Sequence, residues 1–250
     1  MEPGLLDPGC ALFFDFDGTL VHMAAQPGAI SVHKDVPALL ARLRGMLGGA
    51  LAIVSGRPLA EVDHHLRPLK LCVAGVHGAE RRRADGHVVR LLVGDLEPAV
   101  ELLEATCREH PGLQLERKPG AVALHYRRAP QLEDLCLARM AQALQLTDDM
   151  SLLRGKMVVE LKPKHTSKGM AVNSYLDELP FRQRQPWFFG DDVTDESAFE
   201  QVQGRGGVAV KVGAGDTLAA HRLPNPDAVR HWLVRACDQG AAPRPTGSPP

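Results

Sequence analysis

Phe13-Phe14-Asp15-Phe16-Asp17-Gly18-Thr19-Leu20, early in the chain, and Phe188-Phe189-Gly190-Asp191-Asp192-Val193-Thr194-Asp195, far along it, decide the fold. In each, an apolar run short enough for one buried strand ends in carboxylates and a glycine. A strand that is apolar on both faces belongs in a parallel sheet covered on both sides, and such sheets keep their sites at the strands' carboxyl ends. Both stretches therefore place acidic groups at the mouth of one crevice. Asp-Gly is also an ordinary turn dipeptide, but a second cluster with the same grammar argues against coincidence.

Five carboxylates in one crevice repel one another unless a cation sits among them, and hard oxygen donors suit Mg2+, with a phosphate on its open side. Composition agrees with an enzyme acting on a small molecule. With 29 basic and 30 acidic residues the net charge is -1, which gives no electrostatic footprint for nucleic acid or an anionic lipid surface. Cys10, Cys72, Cys107, Cys136 and Cys237 are odd in number and scattered, so neither a disulfide framework nor a zinc site is indicated. The first residues lack a basic-then-apolar leader and no run reaches membrane-spanning length, so a cytoplasmic protein is expected, with no signal for a fixed oligomeric state.

Outward from the first motif, Val36, Leu39, Leu40, Leu43 and Leu47 recur at helical spacing, Gly48-Gly49 ends that helix, and residues 50–54 form the next strand. Strand, helix, strand implies a parallel sheet. Ser55-Gly56-Arg57-Pro58 follows, with a short helix after Pro58 and a strand over 71–76 leading into His77-Gly78-Ala79-Glu80. From Arg81 to Pro163 the grammar changes to helix, two strands, helix, two strands: an α-β-β unit written twice, making an antiparallel sheet with helices on one face. The parallel pattern then resumes. The expected architecture is an α/β, Rossmann-like core formed by residues 1–80 and 164–239, an inserted α+β cap over 81–163, and a Pro- and Gly-rich disordered tail over 240–250. Hinges are expected at Ala79 to Arg83 and Pro163 to Thr166, where core and cap join.

D-x-D-G-T followed much later by G-D-D-x-x-D resembles the haloacid dehalogenase superfamily of phosphohydrolases. Phosphoryl transfer asks for an in-line nucleophile, charge neutralisation and a proton for the leaving oxygen. Asp15 is the candidate nucleophile, giving an aspartyl-phosphate, and Asp17 emerges two positions later on the same face to exchange the leaving-group proton. The resemblance implies that Asp15, the Asp17 carbonyl and Asp191 hold Mg2+, and that Asp192 and Asp195 support the metal's waters and orient Lys168. Ser55, between a strand end and a helix start, can bond phosphate oxygens. Lys168 sits where a helix dipole disfavours a cation, and balancing Asp15 and phosphate is a reason for it to be there.

A narrower resemblance, spanning about Leu12 to Val212, joins His77-Gly78-Ala79-Glu80, Glu116-x-Lys118, His125-Tyr126-Arg127, Glu160-Leu161-Lys162-Pro163 and the Asp191-to-Glu196 string. Together these are similar to bacterial trehalose-6-phosphate phosphatases. The implied substrate is a disaccharide phosphate, its hydroxyls read by Glu116, Glu160 and Glu80 as acceptors and by Lys118, His125 and Arg127 as donors, with Ser55, Gly56, Arg57, His77, Gly78 and Lys162 also implied to bind it. The chain departs from the pattern at Ser167, where many relatives carry an acidic residue. Two other readings stay open: a phosphatase of another sugar phosphate (sucrose 6-phosphate or mannosyl-3-phosphoglycerate), and a non-catalytic regulatory module. The second kind typically lacks an acidic motif, whereas Asp15, Asp17, Lys168 and Asp191 are all present here.

Overall fold

The computed structural model describes residues 1–4, 6–23 and 30–239, so the expected disordered tail over 240–250 lies outside the described residues. In chain order the elements are β1 (Cys10–Phe14), α1 (Val36–Met46), β2 (Leu51–Val54), α2 (Leu59–His65), β3 (Cys72–Gly75), β4 (Glu80–Arg82), β5 (Val88–Arg90), α3 (Glu97–Glu109), β6 (Gln114–Lys118), β7 (Ala121–His125), α4 (Glu133–Leu144), β8 (Met150–Gly155), β9 (Val158–Pro163), α5 (Lys168–Leu176), β10 (Gln185–Gly190), α6 (Glu196–Gly204), β11 (Val208–Val212), β12 (His221–Leu223) and α7 (Pro226–Gln239).

The larger sheet has the order β12-β11-β10-β1-β2-β3-β4-β5, parallel from β12 to β3. Its centre is β1 between β10 and β2, in a register that sets Phe14 beside both Phe189 and Ile53. Strand periodicity then assigns the aromatic residues to opposite faces. Phe14 and Phe189 stack at 4.8 Å, with Trp232 of α7 at 4.6 Å from Phe189. Phe13 and Phe188 meet Tyr175 of α5 and Phe199 of α6 on the other face. Both faces are thus covered, which is why every residue of β1 and β2 is buried.

Residues 80–90, of which the sequence assigned all but Glu80 to the cap, hydrogen-bond into the larger sheet as the antiparallel hairpin β4-β5. Arg81 and Arg83 pair with Glu178, and the Tyr175 hydroxyl donates to the Arg82 carbonyl at 2.9 Å. The segment expected to hinge at Ala79 to Arg83 is therefore clamped to the core, and the chain passes to the smaller unit only after Arg90.

That unit is a four-stranded antiparallel sheet, β6-β7-β9-β8, backed by α3 and α4. Val122, Leu124, Val159 and Leu161 pack on Val100, Leu103, Cys136 and Met140 of the helices. With alternate residues committed to that core, their neighbours Glu116, Lys118, Ala123, His125, Val158 and Glu160 share the opposite face. Ala123 lies between Glu116 and Glu160 in the ladder and, being small, leaves room above the sheet.

Candidate active site

Asp15 follows β1, Asp191 follows β10 and Ser55 follows β2, so three adjacent parallel strands deliver their polar residues to one edge. The Asp15 amide still donates to Phe189 O at 2.8 Å, which ties the first carboxylate to the second strand end. Lys168, buried at the start of α5, reaches this point: its Nζ lies 2.7 Å from Asp15 Oδ1 and 2.7 Å from Asp195 Oδ1. Burial alone would lower the Lys168 ammonium, but the Asp15 and Asp195 charges outweigh it and hold the group above its ordinary value. The Ser167 hydroxyl caps the same helix by accepting from Met170 N at 3.1 Å, so the departure from an acidic residue there keeps a capping group.

Asp195 is fully buried and spends its second oxygen on the amides of Asp191 (2.9 Å) and Asp192 (3.0 Å), which fixes the loop that carries Asp191. Asp192 accepts from Val193 N at 2.8 Å; its side chain caps this turn, and the contact to Lys168 is made by Asp195. Lys211 of β11, a residue the sequence reading passed over, donates its buried ammonium to the Asp191 carbonyl. A lysine inside the apolar run Val-Ala-Val-Lys-Val was the available signal, since a buried ammonium needs a partner.

One carboxylate oxygen from each of Asp15, Asp191 and Asp195 lies within 4.8 Å of the others. Burial and then the Asp195 charge push Asp15 well above the usual carboxylate range, and the same causes raise Asp191 to about 6. These carboxyls lack enough positive charge, and a divalent cation would supply it. Gly18 makes room: its φ is +75°, and a β-carbon there would run into the Asp191 carboxylate. The donor set of hard carboxylate oxygens on Asp15, Asp191 and Asp195 fits Mg2+.

Asp17 faces elsewhere. Arg57 holds its carboxylate with two hydrogen bonds, Nε to Oδ2 at 2.6 Å and Nη2 to Oδ1 at 2.8 Å, and gives Nη1 to Glu61 at 3.0 Å. The Ser55 hydroxyl, buried, accepts from Arg57 N at 3.1 Å. His77 is buried in a left-handed conformation (φ 55°), with its ring against Gly56, where a β-carbon would meet Nε2 at 2.8 Å.

Above these groups lies a crevice of about 310 Å³, walled by the inner face of the small sheet. Lys118 Nζ donates to Glu160 Oε2 at 2.7 Å and to the core carbonyl of Gly56 at 3.0 Å. Glu160 Oε2 is also 3.7 Å from His77 Nε2, while its other oxygen is buried with no hydrogen-bond partner among the described residues. Burial would raise the Glu160 carboxyl, but Lys118 and His77 hold it down at about 2. Glu116 and His125 pair at 2.7 Å, and Arg127 completes that wall. Three expected members are not brought there. Lys162 is buried with its ammonium on Thr166 O (2.5 Å) and Thr166 Oγ1 (3.2 Å), bracing the return to the core, and Gly78 packs against Ala171. Glu80 accepts from Leu59 N and pairs with Arg90, a role inside the core. Leu153, Gly155, Lys156 and Val158 of the β8-β9 hairpin and Thr194 line the crevice without having been singled out, because nothing chemical marks them in the sequence.

The fold is shared with a haloacid dehalogenase-like hydrolase from Bacteroides thetaiotaomicron, which superposes with a TM-score of 0.64 over 92% of this chain and 98% of its own, at 14% identity. A crystal structure of a trehalose-6-phosphate phosphatase related protein superposes with a TM-score of 0.80 over 92% of this chain and 99% of its own, at 26% identity. The trehalose-phosphatase family model matches residues 13–225. The trehalose-6-phosphate phosphatase of Escherichia coli is 42% identical over 225 residues, covering 89% of this chain and 85% of that protein. The chain belongs to the trehalose-phosphatase family. Among the described residues no helix is long and apolar enough to cross a membrane.

Proposed function

We propose that this chain is a phosphoric monoester hydrolase that converts trehalose 6-phosphate to trehalose and phosphate, with a core at residues 1–90 and 164–239 and a substrate-reading cap at 91–163. The observation that carries it is the placement of the Lys168-Asp15 pair at the strand ends directly beneath a cap face bearing Glu116, Lys118, His125 and Glu160. Family membership and the resemblance to the Escherichia coli enzyme support the disaccharide over other sugar phosphates.

Asp15 Oδ attacks phosphorus as the bond to the sugar oxygen breaks, giving an aspartyl-phosphate, and Asp17 gives its proton to the departing sugar oxygen. Water then attacks phosphorus, Asp17 takes a proton from it, and the Asp15 carboxylate and inorganic phosphate are released. Lys168 offsets the charge on Asp15 throughout, and Ser55 donates to a phosphate oxygen. Mg2+, held by Asp15, Asp191 and the Asp17 carbonyl, would neutralise the phosphoryl oxygens when bound. The cap groups, Arg127 included, contact hydroxyls remote from phosphorus and so align the ester for in-line attack. The test is a panel of sugar phosphates assayed for Mg2+-dependent phosphate release; a preference for sucrose 6-phosphate, or no release from any member with Mg2+ present, would overturn the reading.

A further inference from the structure

Arg57 was expected to bind substrate, as part of the Ser55-Gly56-Arg57 loop. Its guanidinium is otherwise engaged. Nε and Nη2 go to the two oxygens of Asp17 at 2.6 and 2.8 Å, Nη1 goes to Glu61 at 3.0 Å, and the Arg57 side chain is 12% exposed. Two carboxylates therefore already surround its single charge, which leaves little net attraction for a phosphate. The fork-to-fork geometry fixes the carboxylate plane as well as its position.

Its location gives that contact a purpose. Asp17 is two residues from Asp15, beside a cluster where Lys168 already serves Asp15 and Asp195. A free carboxylate there would be drawn toward the same cations. Arg57 sorts the acids: Asp15, Asp191 and Asp195 stay with the buried lysine, and Asp17 is kept apart on the crevice wall. We infer that Arg57 is a positioning residue, which holds the Asp17 carboxylate where it meets the leaving sugar oxygen and, later, the attacking water. Each Asp17 oxygen accepts one N–H and keeps a lone pair for proton exchange. The backbone supports the arm from the other side, since Arg57 N is fixed on Ser55 Oγ and the neighbouring Gly56 carbonyl is fixed by Lys118.

This inference rests on the acid–base role proposed for Asp17, and the experiment separates the two. Asp17→Asn, Arg57→Ala and the double variant are compared by kcat/KM on trehalose 6-phosphate and on 4-nitrophenyl phosphate, whose leaving oxygen departs without a proton. Arg57→Ala is expected to lose roughly a hundredfold on the sugar phosphate and much less on the aryl ester, within the range general acid catalysis supplies. The double variant should be no worse than Asp17→Asn alone, because Arg57 acts through Asp17. Added guanidinium ion should restore part of the Arg57→Ala activity and none of the double variant's. Equal losses on both substrates, additive with Asp17→Asn, would make Arg57 a phosphate-gripping residue and overturn the inference while leaving Asp17 in place. A silent Asp17→Asn would remove the acid–base reading itself, and the inference with it. Should Arg57→Ala fail to fold, Arg57→Lys, which keeps the charge without the fork, carries the same comparison: a loss confined to the sugar phosphate supports the inference and an equal loss opposes it.

Discussion

Replacing Glu160 by glutamine separates stability from recognition in one residue. Glu160 is 5% exposed, and the side chain of its partner Lys118, 8% exposed, lies 2.7 Å away with only the Gly56 carbonyl besides. The folded carboxyl stands at about 2 against an ordinary 4.5, and that gap corresponds to about 3 kcal/mol at neutral pH. The lower end of the cost of breaking a buried pair, about 3–5 kcal/mol, is similar. Because the folded value is depressed, the contribution is complete above pH 4.5 and is lost as pH falls through 2. Glu160→Gln should therefore lower Tm by about 6–12 °C at pH 7, a size typical of that energy in a chain this long. At pH 3 the difference from the parent should shrink to about 1 kcal/mol. Activity should part company with stability. Turnover of trehalose 6-phosphate should drop roughly tenfold or more in kcat/KM, equivalent to at least about 1.4 kcal/mol, while 4-nitrophenyl phosphate, too small to reach the cap, changes little. A second variant, Lys118→Met with Glu160→Leu, removes both charges and should recover most of the stability but none of the disaccharide activity. An unchanged Tm for Glu160→Gln would refute the buried pair, and equal kinetic losses on both substrates would refute the sugar-reading role.

Asp15→Asn should keep the fold and bind the sugar phosphate, with turnover down by several orders of magnitude by single-turnover assay; near-parental turnover would remove it as nucleophile. Chelation should abolish activity, Mg2+ should restore it and Ca2+ should inhibit, because its larger and looser coordination misplaces the attack; full activity in excess chelator would defeat the metal assignment. Gly18→Ala places a β-carbon against the Asp191 carboxylate at a φ of +75°, so we expect a Mg2+ activation midpoint raised at least about tenfold with a Tm loss of only a few degrees; an unchanged midpoint would dissociate Gly18 from the metal site. Cap closure on a sugar-phosphate analogue should bend the chain at residues 91–96 and 163–167, with 79–90 exchanging amide hydrogens as slowly as the core; one unchanged scattering curve with and without analogue would count against closure.

The parts of this fold that were legible are those where burial leaves no choice of residue. Residues 11–14, 51–54 and 186–189 are apolar because helices cover both faces of the sheet, and the strands of the smaller unit are legible because one face alternates with charge. The β4-β5 hairpin was not, since Glu80-Arg81-Arg82 reads as a solvent-facing charge run; its buried charges are paired with Asp63, Glu178 and Arg90, partners remote in sequence or across the turn. Asp85-Gly86, with Gly86 at φ +88°, was the available hairpin signal. The last helix was not read, although Val229, Trp232, Leu233 and Ala236 at helical spacing behind Pro226 were the available signal. Within the site, chain position identifies Asp15 and Asp191 because strand ends fix them, and Lys168 because a helix start does. Arg57 and Lys162 have long side chains whose direction is chosen by the nearest acceptor, and the choice of Asp17 for one and Thr166 for the other is a fact of three dimensions.

The grip of Lys118 on the Gly56 carbonyl bears on how such an enzyme can diversify. Its docking point on the core is a main-chain oxygen, present whatever amino acid occupies the position, while Gly56 itself is kept small by the imidazole of His77. The sheet above can therefore accumulate changes at 116, 125, 153 and 158 without a matching change below, so long as one long cation remains at 118. New sugar specificities can arise by drift in a single surface, and a cap grafted from a distant relative keeps this docking if it brings that cation together with the small residue at 121 that packs on Val76 and Ala79 and the carboxylate at 160 beside His77.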